Sequence, residues 1–346
     1  MMRRSFCAAL AALLAAGCAP GGTPPTPTII APIPLPTASA TPVTGRWLIT
    51  REGNLFIFDL QTRQATPLSH FPPGTFASSP ALSPDRRRIA YSYYVLPKDQ
   101  NDLGGSDLYI MGVDGNGSQL VHKHDQPGTS YEEPCWTPDA KALLATRRTT
   151  VYAQGKYQGV KVEIVRVPLD GSDPVSLIAN AQSPSLAPDG QHLAYVPVNT
   201  DGVTNTLWLA DADGKNSQQL LADAKFTYLR APHVSPDSQR IVFGAVGGSS
   251  LTAPTSRPGE RALATIFGPA VAEAHGIPYE IWTVAIDGSD PRRLTHLQED
   301  TPYPIWSPNG DWIACAGEIG LYLIDPTGKQ TLRLSTQTSG GGLAWL

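Results

Sequence analysis

The most regular feature of this chain is a short apolar segment that stops at a Pro-Asp or Pro-Asn turn and restarts as a second apolar segment. Leu82-Ser-Pro-Asp-Arg86 runs into Ile89-Ala-Tyr91, and Trp136-Thr-Pro-Asp-Ala140 into Leu143-Leu-Ala145. Leu186-Ala-Pro-Asp-Gly190 leads into Leu193-Ala-Tyr195, Val234-Ser-Pro-Asp-Ser238 into Ile241-Val-Phe243, and Trp306-Ser-Pro-Asn-Gly310 into Ile313-Ala-Cys-Ala316. Proline presets φ near −65° at the first central turn position, and Asp, Asn or Gly supplies the side-chain bond or the permissive backbone that follows. Each copy is therefore predicted to be a hairpin. About twenty residues later most units carry a second apolar strand closing on Asp-Gly, at Asp114-Gly115, Asp170-Gly171, Asp213-Gly214 and Asp287-Gly288, a strong hairpin signal.

Two hairpins per unit predict a four-stranded antiparallel sheet, and self-similar units 40–50 residues apart predict a repeat architecture. The turn prolines at 84, 138, 188, 236 and 308 are spaced by 54, 50, 48 and 72 residues. Two further strands, Arg46–Thr50 and Leu55–Leu60, precede the first copy, and Gly342-Leu-Ala-Trp-Leu346 resembles the start of another. The expectation is an all-β, six-bladed β-propeller over residues 46–346, closed by pairing of its N- and C-terminal strands in one blade, since radial repetition manages exposed sheet edges.

The repeats resemble the Trp-Ser-Pro-Asp-Gly repeats of the TolB-type β-propeller family, also found in propellers attached to prolyl-oligopeptidase-like peptidases. The resemblance covers about residues 46–346 and implies the fold; one propeller scaffold carries many activities. It implies a non-catalytic envelope protein that binds another protein or a cell-wall component. No counterpart of the separate α/β domain that precedes the propeller in TolB is expected here, so the partners and binding residues of that family are not carried over.

The first 17 residues contain Arg3, Arg4 and an apolar run from Phe6 to Ala16 ahead of Cys18, the layout of an export signal. Leu14-Ala-Ala-Gly-Cys18 resembles a lipoprotein processing box with Cys18 as the lipidated residue; the alternative is a plain secretory signal cut nearby. Residues 18–45 are rich in Pro and Thr and almost uncharged, which predicts an extended tether rather than a packed core. The expected location is the extracytoplasmic side of a membrane, periplasm or cell surface, with membrane contact through the lipid anchor only.

The chain carries a net charge of −4, and removing residues 1–17 takes away two arginines and no acid, leaving −6. An acidic chain without a basic stripe argues against a nucleic-acid partner. A monomer is expected. Cys135 and Cys315 read as small buried residues on opposite sides of the ring, too far apart for a disulfide.

Catalytic signatures are weak. There is no Gly-x-Ser-x-Gly elbow; Gly247-Gly-Ser-Ser250 lacks a strand-turn-helix setting. Asp211-Ala-Asp-Gly214 reads as a turn rather than a calcium loop, because Gly comes early and no bidentate Glu follows. His122-Lys-His124 has metal-compatible spacing but falls on an expected outer strand, where polar residues block edge pairing. No catalytic residue, metal or cofactor is assigned.

The segments preceding the innermost strands are more informative. Tyr131, Glu132 and Glu133, then Tyr228, Arg230 and His233, then Glu299, Asp300 and Tyr303 are expected to converge at the mouth of the central channel as a polar binding site; solvated connector loops are the alternative. A carboxylate pair such as Glu132 and Asp300 leaves open an enzyme acting on carbohydrate or peptide. An insertion over about 246–277 carries Leu263, Ile266 and Phe267 at helical spacing between Pro258 and Gly268-Pro269, predicting a short amphipathic helix that contributes to a partner surface, the alternative being a helix that caps its own blade.

Overall fold

The computed structural model describes residues 43–97, 103–199, 202–221, 226–248, 279–297, 299–336 and 341–346. Residues 1–42, with Cys18, and the stretch holding Leu263, Ile266 and Phe267 lie outside the described residues.

The described chain is all β. One four-stranded sheet pairs β1 (Arg46–Arg51), β2 (Asn54–Asp59) and β3 (Ala65–Pro67) with the last strand, β24 (Leu343–Trp345), whose Leu343 and Trp345 lie opposite Ile49 and Trp47. The next eight strands are β4 (Thr75–Leu82), β5 (Arg88–Val95), β6 (Gly105–Gly112), β7 (Gln119–His122), β8 (Thr129–Trp136), β9 (Ala142–Ala153), β10 (Lys156–Pro168) and β11 (Val175–Ala179). Three more four-stranded sheets follow. They are β12 (Ala181–Leu186) to β15 (Gln218–Leu220), β16 (Phe226–Val234) to β19 (Arg292–Arg293), and β20 (Tyr303–Trp306) to β23 (Thr331–Ser335).

The expectation of a six-bladed closed propeller is corrected here. Strands β4–β11 form one eight-stranded sheet, because β6 pairs in parallel with β8 at Ser106 and Ser130. The Ser106 hydroxyl reinforces the junction by donating to the Tyr131 carbonyl at 2.9 Å. The architecture is thus four propeller-like, four-stranded blades and one eight-stranded sheet.

The second strand of each unit lies between neighbouring sheets and is buried on both faces, as in Ile89-Ala-Tyr-Ser92, Leu193-Ala-Tyr-Val196 and Ile313-Ala-Cys-Ala316. That is why these segments read as continuous apolar runs. The core is accordingly a series of intersheet layers: Trp47, Ile49 and Phe58 pack with Ala314, Leu321 and Leu323, and Val242 and Ile281 pack with Trp306, Ile313 and Cys315. The outer strands β3, β15 and β19 are two or three residues long, which limits the unpaired edge.

The repeated turn is held by its own side chains. The Ser83 hydroxyl donates to Asp85 at 2.5 Å and accepts the Arg88 N–H at 2.9 Å. Thr137 and Ser307 do the same with Asp139 and Asn309. In the unit where Ala187 replaces the hydroxyl, Ser238 of the next unit accepts the Asp189 N–H at 3.2 Å. The position after the acid is left-handed, with φ of 59° at Arg86 and 76° at Gly310, which accounts for glycine in two of the five copies.

Candidate functional site

Each innermost strand carries a second proline four residues before the turn proline: Pro80, Pro134, Pro184, Pro232 and Pro304. The preceding residue is left-handed in four of the five, with φ of 51° at Ser79, 54° at Glu133 and Ser183, and 48° at Ala231. A register shift accompanies each. This is bulge geometry, in which the extra residue leaves the ladder and bends the strand. It turns the flanking side chains toward a cavity of about 550 Å³ bounded by β4, β8, β12, β16, β20 and β24.

Two levels of side chains line this cavity. At the four bulges stand Ser79, Glu133, Ser183 and Ala231, with Tyr303 of β20 and Gly342 just before β24 at the matching places; two residues along stand Ala81, Cys135, Ser185, His233, Ile305 and Ala344. Three residues of the second level each accept a backbone N–H from the following strand. Leu186 N–H donates to Cys135 Sγ at 3.3 Å, Val234 N–H to Ser185 Oγ at 3.0 Å, and Trp306 N–H to His233 Nδ1 at 3.5 Å. The polar atoms of the lining thus also tie neighbouring sheets together.

The carboxylates at the bulge level are answered within the wall. Glu133 accepts from the Thr146 hydroxyl at 2.9 Å, the Ser183 N–H at 2.9 Å and the Ser183 hydroxyl at 3.0 Å. Glu132 pairs with Arg148 Nε at 2.9 Å, and the other end of that guanidinium donates to Gln182. Burial raises the Glu132 carboxyl above its ordinary pKa, while Arg148 opposes this. Arg147 points to the other face of β9 and binds Glu163 at 2.8 Å. Burial works to raise the Glu163 pKa, but hydrogen bonds from Lys161, Ser176 and Arg147 hold it down to about 2.

Arg230 stands next to Tyr303 of the lining. Its guanidinium lies over the Tyr303 ring, 4.7 Å from the centroid, and its Nη2 donates to the Tyr303 hydroxyl at 2.8 Å. Burial pushes the His233 imidazole down to about 4, so it is neutral at neutral pH; with Nδ1 accepting from Trp306, the ring proton belongs on Nε2. Burial likewise raises the Cys135 thiol, keeping it protonated and a weak nucleophile. Among the described residues, neither Ser185 nor Cys135 is hydrogen-bonded to His233.

Of the residues expected at the channel mouth, Glu133, His233 and Tyr303 line the cavity. Glu132 and Arg230 are not among the lining residues: Glu132 pairs with Arg148, and Arg230 is hydrogen-bonded to Tyr303 of the lining. Tyr131 is fully buried in an intersheet layer, edge-on to His122. Tyr228 sits opposite Val246 on β16. Glu299 is fully buried beneath the turn at Gly317 and accepts the Ile319 N–H at 3.1 Å, and the Asp300 carbonyl faces the Glu318 N–H. The equivalence assumed for Glu299 and Asp300 is therefore displaced: Pro304, not Pro302, corresponds to Pro134. Cys135, read as buried, is only partly so and faces the cavity, whereas Cys315 is buried; both thiols are free. Arg148, Thr146, Gln182 and Ser183 escaped the sequence reading. The paired prolines four residues apart are the signal that marks their level.

No family model matches the chain. An uncharacterized peptidase of Bacillus subtilis (strain 168), YuxL, is 22% identical over 153 residues, which is 43% of this chain and 19% of that protein. The crystal structure of TolB from Acinetobacter baumannii superposes with a TM-score of 0.59 at 18% identity, covering 87% of this chain and 66% of that one. The structure of a TolB homologue from Agrobacterium tumefaciens gives 0.55 at 17% identity, covering 88% and 99%. This chain thus spans about a fifth of the curated relative and just under two thirds of the first structure. At such identities the likeness is one of fold, and that fold is TolB-like, of the β-propeller type.

Proposed function

We propose that this protein is an exported, non-catalytic binding module of the cell envelope, whose cavity among the innermost strands receives part of a protein or cell-wall partner. One observation carries the reading: the carboxylates nearest the cavity, Glu132 and Glu133, are engaged by Arg148, Thr146 and Ser183, so they build the wall instead of standing free for proton transfer. The neutral His233 and protonated Cys135 fit the same picture. Export and anchoring through Cys18 rest on the sequence pattern of residues 1–18.

An enzymatic reading, hydrolase or lyase, draws support from the limited similarity to YuxL and from the burial that raises the Glu132 carboxyl above its ordinary pKa. Crosslinking mass spectrometry on native membranes decides between them. The binding reading expects a reproducible partner that is lost when Ala81→Phe fills the cavity and retained by Glu132→Gln. Turnover of a peptide or glycan that Glu132→Gln abolishes, with binding intact, supports the enzyme instead.

A further inference from the structure

Among the described residues eleven large apolar side chains are exposed, and eight of them lie at one end of the eight-stranded sheet. The strand pairing shows that they are level. Val95 stands opposite Gly105, Ser106 beside Ser130, and Thr129 opposite Thr149, so Gly105, Thr129 and Thr149 share one row. Phe76 is one step inside that row and Leu96 one step outside it. Val151, Tyr152, Tyr157 and Val160 all fall within three steps outside it. The band is thus about four residues deep, some ~13 Å, yet it runs from β4 to β10. A Cβ on Gly128 would meet Leu103 and Thr150 at 3.2 and 3.1 Å, so the band continues across the β6–β8 junction. Apolar residues scattered singly on a surface need no explanation, whereas a contiguous set does.

The band ends in a projecting hairpin. Among the described strands, β9 and β10 pair only with each other from Val151 to Val160. Left-handed Gln154 and Gly155, with φ of 52° and 72°, close the tip as a two-residue turn. Just behind it Tyr152 and Tyr157, 48% and 61% exposed, meet edge-on at 6.1 Å. In a chain of net charge −4, residues 147–162 hold two arginines, two lysines and no acid. Arg147, Arg148 and Lys161 are paired with Glu163, Glu132 and Glu163, which leaves Lys156 at the tip as the outward charge.

A second copy fits this surface poorly. Antiparallel self-pairing over the free length of β10 sets Lys156 opposite Lys161, and like charges directly opposite destabilise a ladder; the bulge between Tyr157 and Gly159 interrupts the edge as well. A bilayer surface fits better, because it demands no shaped groove and accepts a shallow rim. Tyrosine favours the headgroup level, where its ring is apolar and its hydroxyl wet, and a neighbouring lysine gains from anionic lipid. The unpaired backbone of the hairpin restricts it to that hydrated level, since open strand edges are not tolerated in the hydrocarbon. The chain also permits the approach. Val43 enters at the far end of β1 from Gly53, whose carbonyl accepts the Ala77 N–H beside Phe76, a distance of about 20 Å; residues 19–42 can span up to about 80 Å.

We infer that this band, led by Tyr152, Tyr157 and Lys156, is a membrane-surface contact that rests on an anionic bilayer at headgroup depth. It adds a second contact to the lipid anchor expected at Cys18. The inference rests on the envelope location proposed above and is independent of the cavity.

The test uses the complete mature chain, residues 18–346 with Cys18→Ser so that no acyl group contributes, and sedimentation with vesicles of phosphatidylcholine alone or with about one quarter phosphatidylglycerol. The protein is expected to sediment with the mixed vesicles. Replacing both tyrosines, Tyr152→Ser with Tyr157→Ser, should lower the partition coefficient by about tenfold or more. Lys156→Glu should lower it by about fivefold or more, and only where phosphatidylglycerol is present. Val175→Ser, an exposed apolar site on β11 outside the band, and the cavity-filling Ala81→Phe should both leave it unchanged. Absence of sedimentation with either vesicle overturns the inference, as does an equal loss with Val175→Ser. A dimer in ultracentrifugation that the tyrosine pair disperses, without vesicle binding, overturns it in favour of a second copy. Crosslinks to a cavity partner are scored separately, so either reading can fail while the other stands.

Discussion

Glu133 on β8 accepts hydrogen bonds from both the backbone N–H and the hydroxyl of Ser183 on β12, at 2.9 and 3.0 Å. Both residues are left-handed and both precede a proline. The eight-stranded sheet is thereby joined to the next blade at the level of the cavity. Glu133→Ala strands the Ser183 and Thr146 hydroxyls, while the Ser183 N–H keeps the Thr146 oxygen at 2.9 Å; the expected loss is about 2 kcal/mol, or roughly 4–8 °C in Tm for a domain of this size. Glu133→Gln should lose about half as much, because one amide oxygen still accepts. Differential scanning calorimetry checks both, and an alanine variant within 2 °C of the parent rejects this role.

The C-terminal strand should be equally consequential. Trp345 meets Trp47 edge-on at 5.4 Å, while Ala344 packs into the neighbouring layer with Leu48 and Ile89. Deleting residues 342–346 removes a buried tryptophan and exposes the edge of β1. Loss of such a side chain alone costs about 3–5 kcal/mol. The truncated protein should melt at least about 8 °C lower, and a shift under about 2 °C overturns the assignment.

His233 supplies a pH signature for the cavity. Burial pushes its pKa down to about 4, against about 6.5 when unfolded. The unfolded chain therefore takes up this proton first as pH falls. Stability due to the neutral ring is complete above about pH 6.5 and is lost as pH falls through 4. Relative to His233→Gln, the parent should lose stability across that window in urea titrations. An imidazole titration by NMR with a midpoint near 6.5 contradicts the buried, neutral assignment.

The sequence by itself determined the local chemistry. Ser-Pro-Asp specifies a turn because the hydroxyl, the ring and the carboxylate act within five residues, as the Ser83–Asp85–Arg88 bonds illustrate. The runs Ile89-Ala-Tyr91 and Ile241-Val-Phe243 announce strands buried on both faces, and Asp-Gly announces the second hairpin. Tertiary structure decided whatever depends on the distance between units. Whether β6 and β8 stay apart or join through Ser106 and Ser130 depends on how closely two sheets approach, and no local pattern encodes that approach. Strand alternation shows that Arg147 and Arg148 take opposite faces, but which of them meets Glu132 depends on where β8 bulges. Four left-handed residues ahead of proline set that register, and they place Glu133 and His233 at the cavity while Glu299 is buried beneath the turn at Gly317.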